Sequence, residues 1–376
     1  MTYYPSMTKF PSEWNIKRDT LNDPSKYPKY TYGKTFEESY DYDTLFADVF
    51  RNGNQMVFVS PPFLNFRNII QSMKLIDDES NTYDLNFGSF DRCEVAVSAI
   101  PDTVDKIFLQ RKDGEKFEIK YRNRYSKFDD KKVLCTMIKD EPINKILNWI
   151  EYHKVNYNVE GFLIFNHQST NYSSEKLHGE LTKEQSECII EVIDWDMPFG
   201  MIGPPWDSDW SQYILLNLCR FNFCLKSSIM INHDIDEYFV SEYSLDEILE
   251  SMITQNFGAI VYESKNVSCY TDGDKNILNS RCYYHPEEVD EAKMTKWMAI
   301  PSKTMQSIYT LHNVFGPNTE STDDFYYAHM WTLSSHNHDQ ENHCSPKNYR
   351  KKIRESGYKI DSQLKYNFEN CSNLSL

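Results

Sequence analysis

Ile229-Met230-Ile231-Asn232-His233-Asp234-Ile235-Asp236-Glu237-Tyr238-Phe239-Val240 reads as a buried strand that runs into an acidic turn and re-enters the interior at Tyr238-Phe239-Val240. Side chains along a strand alternate faces, so Asp234 and Asp236 point the same way while Ile235 points into the core. Two carboxylates at that spacing can meet one cation. Asp-x-Asp closing an apolar strand suits a hard divalent metal that keeps positions open for water or phosphate oxygens. Turn propensity of Asp produces the same pattern with no metal at all, so the flanking sequence has to decide.

Upstream, Val133 to Ile138 is a continuous apolar run of the kind found in strands covered on both faces. Lys139-Asp140-Glu141-Pro142 then starts a helix, with Pro inside its first turn, and the apolar positions Ile143, Ile146, Leu147 and Ile150 recur at helical spacing. Gly161 to Phe165 is the next strand, with Asn166-His167-Gln168-Ser169 as its polar exit, and Cys188 to Ile193 the third. An amphipathic helix from Ser211 to about Phe223 leads into the acidic turn. Strands alternating with helices predict an α/β fold with a mostly parallel sheet flanked by helices, binding ligands beyond the carboxyl ends of its strands. Asp140, Asn166 and Asp234 lie at such ends. Downstream come a short helix from Leu245 to Ile253, a strand from Gly258 to Glu263, and further strands near Trp297–Ile300, Ile308–His312 and Phe325–Trp331. Before Lys131 the pattern is that of a small antiparallel β region, with Lys112-Asp113-Gly114 as a hairpin turn. Residues 1 to about 55 lack periodicity and are expected to wrap over the surface. The resulting division is 1–130 for the extension and small β region, 131–335 for the α/β domain, and 336–376 for a polar, basic tail that is expected to be helical from Tyr349 to Tyr358.

The formal charge of −16 argues against a nucleic-acid partner, since no basic stripe offsets the repulsion from phosphates. No apolar run approaches the roughly 20 residues of a membrane span, and the first residues form no signal peptide. Nine cysteines without CxxC spacing read as small buried hydrophobes of a reducing, cytoplasmic compartment.

Several stretches together resemble glycosyltransferase family 92: Thr136 to Glu141, Trp149 to His153 as a W-x-x-Y-H helix, Val159 to Ser169, the turn at Asp234 to Glu237, Lys296 to Pro301, and His312-Asn313-Val314. The resemblance runs from about Val57 to Trp331. It implies a GT-A fold and a metal-dependent, inverting transfer of a sugar, galactose in the family's known members, from a UDP donor to a hydroxyl of a glycan acceptor. Three departures stand out. The membrane anchor of the animal members is missing, Tyr262-Glu263-Ser264-Lys265 and a longer polar insert replace a Trp and Gly-rich loop, and Ala328-His329-Met330 replaces a His-Tyr-Arg-like ending.

On this reading Asp234, Asp236 and His329 hold Mn or Mg, with Asp236 the direct ligand and His329 the C-terminal histidine that completes the metal or phosphate site in many GT-A enzymes; a buried core histidine is the alternative. Asp140, Glu141, Asn166, Gln212 and Asp234 are candidates for the nucleotide, with helix capping as the competing explanation for Asp140 and Glu141. Glu263, Asp272 and Asp274 are candidates for the base that takes the acceptor's proton. Trp206, Asp207, Asp209 and Trp210 could supply aromatic and carboxylate contacts to a sugar, with a packed loop as the alternative for the two tryptophans. His336, His338 and His343 read as a loop. A catalytically silent glycan- or nucleotide-binding module on the same fold is the alternative function, and oligomeric state is not legible.

Overall fold

The computed structural model describes residues 2–20, 34–200, 208–267, 284–286, 294–330 and 358–371. Its centre is an eight-stranded sheet made of β1 (Lys132–Ile138), β2 (Gly161–His167), β3 (Ile189–Trp195), β4 (Ile229–Asn232), β5 (Glu237–Val240), β6 (Ala259–Asn266), β7 (Thr295–Ala299) and β8 (Thr319–His329). Across the sheet the order is β3-β2-β1-β4-β7-β6-β8-β5. The first four are mutually parallel, β6 and β8 are parallel to each other, and β7 and β5 run antiparallel to their neighbours. The expected mostly parallel sheet is therefore present. The chain winds outward from β1 to β3 and returns to the other side of β1 as β4. The strand order thus reverses between β1 and β4, the place at which open α/β sheets bind ligands beyond the carboxyl ends of their strands.

Helices α1 (Ile143–Tyr157), α2 (Ser174–Glu184), α3 (Trp210–Leu218), α4 (Leu245–Thr254) and α5 (Ser362–Asn370) flank this sheet. One apolar cluster joins α1, α2, α4 and α5 to one face, through Leu134, Ile146, Trp149, Phe162, Met298 and Phe368 among others. A second joins α3 to the opposite face, through Cys135, Leu163, Met230, Ile214 and Trp297. Pro142 precedes α1 as its cap residue instead of lying in the first turn. The sequence expectation of an amphipathic α3 is also corrected: every residue of it except Gln212 is buried, because the N-terminal β region covers the side that would otherwise meet water. It continues as a π-helical turn, Cys219–Phe223.

The N-terminal β region is a five-stranded and a four-stranded sheet. The hairpin at Lys112-Asp113-Gly114 joins Ile107–Gln110 to Lys116–Ile119, with Gly114 at φ +94°. Residues 1–55 do more than wrap the surface. Thr44–Phe46 and Asp48–Asn52 are strands, and Leu45, Phe46, Val49 and Phe50 are fully buried. Covered on both faces, this segment lacks the polar alternation that marks a strand. Asp48 is buried at its centre, accepting from Tyr3 Oη (2.9 Å), the Ser6 N–H (2.6 Å), the Val49 N–H (3.0 Å) and Asn222 Nδ2 (3.2 Å). The chain end also departs from a simple tail. Tyr358–Ile360 pairs with Tyr284–Pro286, and α5 docks on α1. Residues 349–357 and the three later histidines, His336, His338 and His343, lie outside the described residues.

Candidate active site

The acidic turn is held in place by the helix that precedes it by some eighty residues. Glu237 and Phe239 of β5 turn backbone groups toward α1, and α1 answers with three side chains. Trp149 Nε1 donates to the Glu237 carbonyl (3.0 Å), Tyr152 Oη donates to the Phe239 carbonyl (2.8 Å), and His153 Nε2 accepts from the Phe239 N–H (3.3 Å). His153 Nδ1 lies 2.8 Å from the Trp149 carbonyl, which fixes the tautomer with its proton on Nδ1. Burial drives the His153 pKa down to about 3, so the ring is a neutral structural acceptor. The W-x-x-Y-H motif is thus a clamp. Among the described residues β5 is an edge strand paired only with β8, and buried edge groups need partners that a sheet does not supply.

Within the turn, Asp234 and Asp236 meet different cationic groups. Lys296 of β7, almost fully buried, places Nζ 2.7 Å from Asp234 Oδ2 and 3.2 Å from Glu237 Oε2. The Asp234 N–H donates to Glu237 Oε2 (2.8 Å) and closes the loop. Burial opposes the charge on Lys296, but Asp234 and Glu237 more than offset it and raise its pKa. Burial dominates for Glu237 and raises its carboxyl despite Lys296. Asp236 Oδ2 lies 3.7 Å from His329 Nε2, an ion-pair contact at the end of β8. Burial alone would raise the Asp236 pKa; the proximity and charge of His329, with Lys145 and Lys296 behind it, hold it down at about 2. Asp236 in turn raises His329 against the effect of burial. Both side chains keep a little exposure, 13% and 12%.

The other expected residues spread along the same edge. Asp140, at φ +53°, accepts the N–H groups of Thr170 (2.6 Å) and Asn171 (2.8 Å), so its carboxylate ties the β2–α2 loop to the end of β1. This is loop bonding and not a cap on α1. Glu141 is buried and pairs with Lys145 (3.0 Å). Asn166 Nδ2 donates to Ser174 Oγ (2.9 Å), and that hydroxyl donates to Asp194 (2.6 Å). Asn166 Oδ1 is buried without a partner among the described residues. Gln212 sits in the first turn of α3, which Trp195 Nε1 anchors to the end of β3 through Ser211 Oγ (2.6 Å). Glu263 pairs in register with Thr295, one residue beyond Tyr262 and Lys296. Strand alternation puts it on the face opposite Tyr262, whereas His329 is in register with Asn266 on the Tyr262 side. Asp272, Asp274, Trp206 and Asp207 lie outside the described residues. Asp209 and Trp210 are both buried: Asp209 pairs with Arg92, and the Trp210 ring lies against Tyr40 and Arg18, the packing alternative for that tryptophan.

Sequence reasoning overlooked Lys145 and gave Lys296 no role. A lysine inside an otherwise apolar strand, Lys296-Trp297-Met298-Ala299, was the available signal, because a lysine there must be paired.

Residues 133–343, more than half of the chain, match the profile of Glycosyltransferase family 92. The chain belongs to glycosyltransferase family 92. The match contains the clamp, the acidic turn, Lys296 and His329 and stops before α5. No curated protein matches the chain. Among solved structures it is similar to the WbbM bifunctional glycosyltransferase, apo form, at 14% identity over 40% of this chain and 25% of that one, TM-score 0.28. The S. cerevisiae mannosyltransferase Ktr4p matches at 13% identity over 37% and 41%, TM-score 0.25. S. aureus TarS 1–349 matches at 10% identity over 64% and 70%, TM-score 0.32. The chain thus spans well under two thirds of the first two. Among the described residues no helix is long and apolar enough to cross a membrane, and no three His, Cys, Asp or Glu side chains converge as a metal cage.

Proposed function

We propose that the protein is a metal-dependent glycosyltransferase that moves a sugar, galactose first among the candidates, from a UDP-sugar to a hydroxyl of a glycan acceptor with inversion. The observation that carries the reading is the Asp236–His329 pair at the carboxyl edge of the sheet, inside the family-matched segment. A carboxylate oxygen and an imidazole nitrogen form a mixed donor set that suits Mn, and fewer than three protein ligands suit an ion whose other positions go to substrate oxygens and water. Asp236 and His329 would hold it. When bound, such an ion neutralises charge building on the departing diphosphate.

The chain's own residues do the rest. Lys296 ties up Asp234 and Glu237, which stiffens the turn and leaves Asp236 as the carboxylate facing the donor. Asn166 Oδ1, a buried acceptor awaiting a donor, fits a ribose hydroxyl or an N–H of the uracil edge. Glu141 and Gln212 line the same edge, and Asp140 acts by holding the loop after β2. The proton acceptor is assigned to the segment from Glu263 to Asp274, whose described part ends at Val267 beside His329. The transferase unit is residues 131–335, with 1–130 as its support.

The test is incubation with a panel of UDP- and GDP-sugars, with and without glycan acceptors and Mn, reading nucleotide release. Metal-dependent release of UDP, stimulated by an acceptor, is expected. Tight nucleotide binding with no release under any condition contradicts the proposal and leaves a silent binding module.

A further inference from the structure

We propose that α5, which lies beyond the family-matched residues, is a positioning strap for the acidic turn, and that Asn367 is the residue through which it acts. Two tyrosines of α1 hold β5, the strand that carries the turn. Tyr152 Oη donates to the Phe239 carbonyl, while Tyr157 Oη accepts from the Ser241 N–H at 3.0 Å. Asn367 Nδ2 donates to both hydroxyls, at 3.0 Å to Tyr152 and 2.7 Å to Tyr157. One amide therefore fixes the pair. Its own carbonyls are held as well: Oδ1 accepts from Gln363 Nε2 (3.1 Å) and the backbone oxygen accepts from Asn156 Nδ2 (3.1 Å).

The seat is built for this helix. Leu364, Asn367, Phe368 and Cys371 are all buried, at the i, i+3, i+4, i+7 spacing of one helical face. The Phe368 ring packs against Tyr152 at 5.0 Å and Tyr238 at 5.4 Å. Asp361 caps α5 through the Leu364 N–H (2.9 Å) and also accepts from Tyr326 of β8, the strand whose end carries His329. Both strands that deliver the Asp236–His329 pair are thus tied to the C-terminal segment. A buried amide that donates twice costs more to ignore than to satisfy, so the tyrosines are ordered by α5 and order β5 in turn.

Asn367→Leu keeps the volume and removes both donors, and Lys365→Ala on the exposed side of α5 is the control. Hydrogen exchange is read at Phe239 and Ser241 of the full chain. The expected result is exchange faster by about fivefold to tenfold at those two amides in Asn367→Leu, with β2 and the Lys365→Ala protein unchanged. Unchanged exchange at both amides, or equal acceleration in β2, overturns the proposal. Should Asn367→Leu fail to fold, Asn367→Ala, which removes both donors without inserting an apolar branch, is expected to give the same local acceleration, and the same two results count against it. The activity arm rests on the proposed transferase reading: with UDP-galactose, kcat falls by about tenfold while KM stays within about twofold. A parent chain inert toward UDP-galactose counts against that reading alone, because the exchange result stands without turnover.

Discussion

Lys296 is the only cation that an ion pair gives to Glu237 among the described residues, and removing it should expose how the turn is held. Its Nζ sits 2.7 Å from Asp234 and 3.2 Å from Glu237, and the Lys296 and Glu237 side chains are each only 2% exposed. Lys296→Met leaves the Glu237 carboxylate buried without its counter-charge. Loss of one partner of a buried pair costs about 3–5 kcal/mol. Asp234, 46% exposed on its side chain, can be solvated and adds little to that figure. Glu237→Gln removes the other charge, and the double variant Lys296→Met/Glu237→Gln no longer contains a stranded ion. Urea unfolding of all four proteins measures the coupling. The double variant should be more stable than the sum of the single losses by about 1–3 kcal/mol. Single losses that add to within about 0.5 kcal/mol would falsify the view that these charges are one unit.

Three further outcomes are open to measurement. Burial pushes the Asp48 carboxyl up to about 6, against the hydrogen bonds from Ser6, Tyr3 and Val49 and the nearby Arg122. A raised carboxyl contributes stability that is complete below its unfolded pKa, near 3.8, and lost as pH rises through about 6. The stability of the parent relative to Asp48→Asn should therefore fall by roughly 2 kcal/mol between pH 4 and pH 7, and a pH-independent difference would contradict this. Tyr152→Phe leaves the Phe239 carbonyl without the hydroxyl at 2.8 Å and should lose about 1–3 kcal/mol on urea unfolding; unchanged stability would show that the clamp does not bear on β5. Substituting Asp272 and Asp274 singly by amides should leave UDP affinity intact while one of them abolishes transfer, and full transfer by both, with Glu263→Gln also active, places the base elsewhere.

The sheet was legible because its parallel strands are uninterrupted apolar runs with polar exits, as in Val133–Ile138 and Gly161–Phe165, and the acidic turn was legible as such an exit. What the motif around Trp149 does was not, since its partners Glu237 and Phe239 are distant in sequence and the bonds go to backbone, which any residue supplies. The pairing of Asp234 with Lys296 was hidden for the same reason: two charges far apart in the chain look solvated until the fold joins them. Asp48 concealed its strand by being a buried acid among apolar neighbours. The C-terminal helix did leave a trace in Leu364, Phe368 and Cys371, but nine residues carrying so few apolar positions are outweighed by their polar surroundings.

The central claim is that nucleotide binds through an ion held by Asp236 and His329. Calorimetric titration of UDP into the full chain, with Mn present and again after chelation, tests it most directly, with Asp236→Asn measured alongside. Binding that requires Mn and falls by at least about tenfold in Asp236→Asn, with folding unchanged, is the expected result. Equal UDP affinity in the chelated and Mn-loaded samples would contradict it.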